Sequence, residues 1–214
     1  IWQTIYLEAR PQVALETVHF TPDIDKGLVT VDVALDQPLP ADASFELQFR
    51  RGDRAETIAL QPVNRNAIEF LFDVKMPNAR LWSLDNPYLY EVEAVLMMGK
   101  VTDRVSTYFG MRKISVGDMP GTDIPYVMLN NKPVYLQLSL DQAYHPQGHY
   151  TFPSDAFMRD EILRSKQIGL NGQRIHIKVE VPRKLYWADR LGMLIQADVP
   201  NSWGHPDEKA RAEA

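Results

Sequence analysis

The side chains best suited to chemistry stand in four short stretches: Asp141-Gln142, Arg174-x-His176, Asp198 and Trp203. A carboxylate beside a carboxamide at 141 and 142 can accept and donate hydrogen bonds to a hydroxylated ligand, and Tyr144 adds a ring with a phenolic hydroxyl. The plain alternative is a solvated loop end. Arg174 and His176 are two apart, so on a strand both face the same way, a guanidinium fork and an imidazole that would need partners inside a barrel and find them in a pocket wall. In isolation the same pair suits a surface strand. Tyr186, Trp187 and Trp203 can lay a ring on the C–H face of a sugar; Trp187, at helical spacing, reads as packing, and Trp203, in the loop Asn201-Ser202-Trp203-Gly204, is the stacking candidate. His145 and His149 are four apart, but no helix is expected there and no third ligand follows, so no metal centre is assigned. Lys178 and Glu180 read equally as a surface ion pair of small value. The absence of cysteine excludes disulfides, thiolate metal sites and a cysteine nucleophile, and leaves cytoplasm and periplasm both open.

The elements that must position these residues change character along the chain. After Gly110 come Tyr126-Val127-Met128-Leu129, a turn through Asn130-Asn131-Lys132-Pro133, and a strand-like Val134 to Leu140. Ser154 is placed to cap a helix starting at Asp155, whose charge suits the positive end of the dipole, and Gly169 to end it. Phe157, Met158, Ile162, Ser165 and Ile168 share one face of that helix, which predicts packing against a sheet. A strand over Arg174–Val179 follows, then a helix with Pro182 in its first turn and Gly192 past its end, then strand Met193–Ala197. Strand, helix, strand, helix, strand predicts parallel βα units, with a third helix beginning near Pro206.

Residues 13 to about 110 are different. Val18–Phe20, Leu28–Leu35, Phe45–Phe49, Ala67–Phe72 and Leu89–Leu96 carry β signals, several alternating with period two. Turn residues at Pro22-Asp23, Lys26-Gly27, Pro38-Leu39-Pro40, Arg51-Gly52-Asp53 and Met98-Gly99-Lys100 punctuate them at the spacing of an antiparallel sandwich, read as immunoglobulin-like. With 214 residues, two cores are the better expectation. Composition is ordinary at 45% hydrophobic and 24% charged. A net charge of -5 and a pI near 5.5 argue against nucleic acid or an anionic membrane as partner, and favour neutral or weakly polar ligands. No apolar run approaches the roughly 18 residues of a membrane span, so a soluble chain is expected.

Several stretches resemble glycoside hydrolase family 2, the β-galactosidase and β-glucuronidase group, in the order that family uses them. Ile1-Trp2-Gln3-Thr4-Ile5-Tyr6-Leu7-Glu8 resembles the closing strand of its N-terminal jelly roll. Leu81-Trp82-Ser83-Leu84-Asp85-Asn86-Pro87-Tyr88-Leu89-Tyr90 and Phe109-Gly110-Met111-Arg112 are similar to signatures near the end of its sandwich domain. Leu129-Asn130-Asn131-Lys132-Pro133-Val134, Lys166-Gln167-Ile168-Gly169-Leu170-Asn171, Arg174-Ile175-His176 and Trp187-Ala188-Asp189-Arg190-Leu191-Gly192 resemble motifs of its catalytic barrel. The implied architecture is multidomain β plus α/β: residues 1–12 ending a jelly roll, 13–112 an immunoglobulin-like sandwich, and 113–214 the first units of an incomplete TIM (β/α) barrel.

The resemblance implies a retaining glycosidase whose site lies at the carboxyl ends of the barrel strands. Such chemistry uses two carboxylates about 5 to 5.5 Å apart, an acid/base and a nucleophile. In the family the acid/base is the Glu of an Asn-Glu pair, and no Asn-Glu dipeptide occurs here, so both catalytic positions fall outside this chain. The same resemblance implies substrate contact for Asp141, Gln142, Tyr144, Arg174, His176, Asp198 and Trp203, with carbohydrate as partner. Gln137-Leu138 stands where the family has Arg-Gly, which removes a guanidinium fork from the pocket. Asp198 matches a position where larger relatives use a Glu near a magnesium ion; a lone Asp makes no such site, so no cofactor is assigned to this chain and magnesium only to the parent. Two or three βα units leave bare sheet edges, so the expectation is that they pack on the sandwich, pair with a second copy or are completed within a longer chain. A free-standing carbohydrate-binding or adhesion module is the alternative, and exposed aromatics on a sandwich face would favour it.

Overall fold

The structure, a computed structural model, describes residues 5–39, 43–51, 54–63, 66–142, 144–198 and 208. The chain divides into two units, one holding Tyr6–Ser83 and Tyr88–Val134, the other Leu84–Pro87 and the chain from Tyr135 onward. Most of the regular structure is β, with few helices.

In the first unit, strands β1 (Leu15–Asp23), β2 (Leu28–Leu35), β3 (Ala43–Arg51), β4 (Arg54–Val63), β5 (Glu69–Lys75), β6 (Tyr90–Met98) and β7 (Val101–Phe109) build two antiparallel sheets, ordered β1-β2-β5 and β4-β3-β6-β7. Alternation makes the core: Val29, Val31, Val33 and Leu35 point inward from β2 and meet Phe45, Leu47, Val92, Ala94 and Leu96 from the other sheet. Each of these side chains larger than alanine contributes roughly 1.5–3 kcal/mol relative to exposure. Phe45 sets its ring edge against Phe70 and Phe72, while Phe109 stacks on Phe20 and Tyr90. Strands β4 and β7, which the apolar pattern did not mark, are the two edges of the larger sheet; an edge strand is held by backbone pairing and needs little apolar patterning. Trp82 is fully buried, with the Arg112 guanidinium 4.8 Å from its ring centre.

Strands β8 (Ile114–Asp118), β9 (Pro125–Leu129) and β10 (Lys132–Pro133) form a small antiparallel sheet in the same unit. Asn130 and Asn131 both take positive φ, as the tight turn between β9 and β10 requires. The Asn130 side chain accepts from the Lys113 amide and donates to the Trp82 carbonyl, and Asn131 donates to Asp25.

In the second unit, β11 (Leu138–Asp141), β12 (Gly172–Ile175) and β13 (Leu194–Ala197) pair in parallel in that order, aligning Leu140, Arg174 and Gln196. Helices α1 (Asp155–Gln167) and α2 (Pro182–Leu191) connect them. As read from the sequence, Ser154 caps α1 by accepting from the Phe157 amide, and Gly192 ends α2 at φ 73°. Gly192 is also a close approach, since a Cβ there would lie 2.3 Å from the Leu84 carbonyl oxygen. The Lys166 ammonium donates to the carbonyls of Leu84, Leu191 and Gly192, and so closes the carboxyl end of α2. Its pKa falls below the usual lysine value because burial penalises the charge. Ile162, Ala188 and Met193 make the buried centre, with Trp187, Leu191 and Ile195 packed on it.

Several expectations are corrected. Residues 5–8 belong to no strand, and Ile5, Tyr6 and Leu7 are exposed, while Ile1–Thr4 lie outside the described residues. The strand expected from Val134 begins only at Leu138, because Val134 donates back to Val127 beside the β9–β10 hairpin. Ile168 is off the apolar face, 77% exposed at the end of α1, where the last turn swings it away. The strand expected over Arg174–Val179 stops at Ile175, and Ile177 takes φ 50°, which no strand continues. The expected third helix falls outside the described residues except for Glu208.

Candidate functional site at the carboxyl ends of the parallel strands

The two faces of the β11-β12-β13 sheet differ. Ser139, Gln173 and Ile195 are aligned on the face carrying the helices, where Gln173 donates to the Ser165 hydroxyl and Ile195 joins the buried centre. Leu140, Arg174 and Gln196 are aligned on the other face, which nothing among the described residues covers: Leu140 is 59% exposed and Gln196 is exposed. Side-chain direction alternates along a strand, so neighbours at a strand end are sent to opposite faces.

On the open face, Arg174 grips Asp198 through two hydrogen bonds, Nε to Oδ1 at 3.1 Å and Nη2 to Oδ2 at 2.9 Å. This bidentate pair holds the Asp198 carboxyl below its ordinary pKa and raises that of Arg174. Gln142 Nε2 lies 2.9 Å from His176 Nδ1. An amide NH2 only donates, so Nδ1 accepts and the imidazole proton is on Nε2, where it can be given to a ligand oxygen. Gln142, Arg174, His176 and Asp198 thus assemble at the carboxyl ends of adjacent parallel strands, the edge where open α/β sheets and barrels bind ligands.

Asp141 goes the other way. Its carboxylate accepts from the Lys184 ammonium of α2. Lys184 is fully buried and also lies 3.0 Å from Glu161 and 3.7 Å from Glu180, and Glu180 in turn pairs with Lys178 at 3.0 Å. Three carboxylates therefore meet two ammonium groups on the helix side. Burial works to lower the Lys184 pKa, but Asp141 and Glu161 together outweigh it and the value is raised. Lys178 and Glu180, read as a surface pair, are 3% and 1% exposed: Lys178 lies against the Tyr150 and Phe152 rings, and Glu180 faces Lys184 of α2. Lys184 escaped the sequence reading; the available signal was its spacing of four from Ala188, which puts a lysine in the apolar stripe of α2.

Beside this network β11, the segment that follows it and α1 line a half-open cavity of about 260 Å³. Tyr144, Tyr150, Phe152 and Phe157 supply its rings, His145 and His149 their imidazoles, and Asp141 and Glu161 its carboxylates. His145 and His149 exchange backbone hydrogen bonds of 2.9 and 2.8 Å, a short antiparallel bridge that shapes the segment. Tyr144, 70% exposed, meets Tyr150 edge to face at 5.3 Å. Trp187 packs as read, and its indole donates to Asp155, whose carboxyl Arg183 and Trp187 hold down at a pKa of about 2. Trp203 lies outside the described residues.

A magnesium site does not fit what is assembled here. Asp198 is engaged by Arg174, and no three His, Cys, Asp or Glu side chains converge for a metal among the described residues. No helix among them is long and apolar enough to cross a membrane.

Residues 13–112 match the family model for glycosyl hydrolases family 2. They span the two-sheet sandwich from just before β1 to just after β7. Similarity to curated β-galactosidases extends over most of the chain. The chain is 21% identical over 208 residues to a β-galactosidase of Vibrio vulnificus (strain YJ016), and 28% identical over 143 residues to a β-galactosidase of Thermoanaerobacterium thermosulfurigenes. These alignments cover 91% and 66% of this chain but 20% and 18% of those proteins, so the chain spans about a fifth of the curated relatives it matches. Among solved structures, a family 2 β-galacturonidase from Eisenbergiella tayi bound to glycerol has a TM-score of 0.70 at 22% identity, with 87% of this chain and 32% of that chain covered. The Parabacteroides merdae β-glucuronidase with glycerol in its active site reaches 0.71 at 20% identity, covering 89% and 24%. At such identities the likeness shows a shared fold.

Proposed function

We propose that this chain is part of a retaining glycoside hydrolase acting on β-galactoside-like O-glycosides, with an immunoglobulin-like sandwich followed by the first βα units of a (β/α)8 barrel. One observation carries the reading: Gln142, Arg174, His176 and Asp198 meet on the open face at the carboxyl ends of three parallel strands. On this reading that face turns toward the barrel axis and Asp141 is a support behind the wall. His176 donates Nε2–H to a sugar oxygen, with Gln142 fixing its tautomer, while Arg174 keeps Asp198 ionised and oriented to accept from a hydroxyl. Proton donation to the leaving oxygen and attack at the anomeric carbon belong to two carboxylates contributed from outside this chain. Alone, the chain binds and positions without cleaving. The binding-module alternative calls for exposed rings on a sandwich face; the aromatic side chains described in β1 to β7 are all buried or half-buried.

The test is hydrolysis of a panel of nitrophenyl β-glycosides by the 214-residue chain and by the full-length parent, each verified by intact mass. An inert chain beside a parent that cleaves β-galactosides is the expected result. Turnover by the verified short chain would overturn the placement of the carboxylates, and an inert parent would overturn the glycosidase reading.

A further inference from the structure

The cavity on the helix side has none of Gln142, Arg174, His176 or Asp198 on its wall, yet it combines aromatic rings with two carboxylates. We propose that it binds one neutral pyranose ring and discriminates against uronic acids and amino sugars. The ligand class rests on the carbohydrate reading above; the cavity and its charges stand apart from it.

Size and charge carry the inference. A volume of about 260 Å³ lies just under the range of drug-sized pockets, and so matches a single small ring. Tyr144 and Tyr150 offer apolar ring surface to sugar C–H groups, and Glu161, 34% exposed, offers a carboxylate oxygen to hydroxyl donors. An anionic ring would bring a second carboxylate against that one. A cationic ring would meet ammonium groups already present behind the aromatic wall: Lys178 lies 5.2 Å from the Tyr150 ring centre, and Lys184 lies 5.0 Å from that of Phe152. The Tyr150 and Phe152 rings, which would reward a cation, therefore already carry one from within the protein. A neutral ring gains the stacking and the hydrogen bonds and meets neither repulsion.

The experiment is an NMR titration of the 214-residue chain with three rings of one size: methyl β-galactopyranoside, galacturonate and galactosamine. The neutral ring should saturate at millimolar concentration and shift the amides of the β11–α1 segment, with galacturonate weaker by at least about tenfold. Tyr144→Ala, at a side chain exposed enough to leave folding intact, should weaken the neutral ring by about fivefold. Glu161→Gln should narrow the gap between neutral ring and uronate. Galacturonate binding as tightly as the neutral ring, galactosamine binding more tightly, no saturable binding, or an unchanged affinity in Tyr144→Ala would each overturn the proposal. Turnover plays no part in the titration, so a parent inert toward every glycoside would remove the glycosidase reading and leave this result standing.

Discussion

At the scale of single residues, Lys184 is where opposing effects are largest. A fully buried ammonium costs several kcal/mol to desolvate, and only the three carboxylates around it make its charge sustainable. Removing one partner of such a group leaves uncompensated buried charge, so Lys184→Met should destabilise the chain by about 3–5 kcal/mol in urea unfolding. An unchanged midpoint would show that the carboxylates are held by other means. Because the folded-state pKa of Lys184 is raised, its contribution is complete below the unfolded value and is lost as pH rises through the folded one. Stability should therefore fall on the alkaline side, and that part of the fall should vanish in Lys184→Met. Asp155 acts at the other end of the scale. Its pKa is lowered to about 2, so the stability it contributes is present above its unfolded value near 4 and lost as pH falls toward 2. A thermal-unfolding series over that range should show a shallower acid limb for Asp155→Asn than for the unaltered chain.

At the scale of elements, α1 and α2 begin differently although both were read from their caps. Ser154 supplies a side-chain oxygen to the first turn of α1, whereas Val181 at the same position of α2 supplies none and Pro182 merely removes one orphan donor. Val181→Ser should raise stability by about 1 kcal/mol, measured as a shift in the denaturant midpoint at constant slope. No gain would mean that the Glu180 carboxylate, which already accepts from the Val181 amide, satisfies that turn. The carboxyl end of α2 shows the converse. Gly192 was legible as a stop signal, but the lysine that reaches its last carbonyls comes from α1 and could not be read as a cap.

At the scale of the whole molecule, the parallel sheet has three strands among the described residues. Leu140 lies exposed on its open face, and β11 and β13 are its edges. Apolar surface and unpaired edges of this kind recruit other chains. The mass of the 214-residue chain in sedimentation should rise with concentration, and Leu140→Lys should shift it toward the monomer. A single monomeric species at every concentration would refute this.

Local patterns alone determined the alternating core of β2, the Ser154 cap, the Gly192 stop and the strand and helix order after Leu138, because each depends on neighbours within a few residues. The edge strands β4 and β7 left no such mark, since backbone pairing with a partner distant in sequence holds them. The site divided in the same way. Gln142, Arg174, His176 and Asp198 were named through the family resemblance, since residue type and spacing alone favoured plain surface roles, and their pairing follows once the strands align in parallel. Which side of the sheet Asp141 faces, and the burial of Lys178, Glu180 and Lys184, only the tertiary structure decided: whether a charge is a solvated surface group or one pole of a buried network depends on what folds over it, and the carboxylates Glu161 and Asp141 that meet Lys184 lie 23 and 43 residues away.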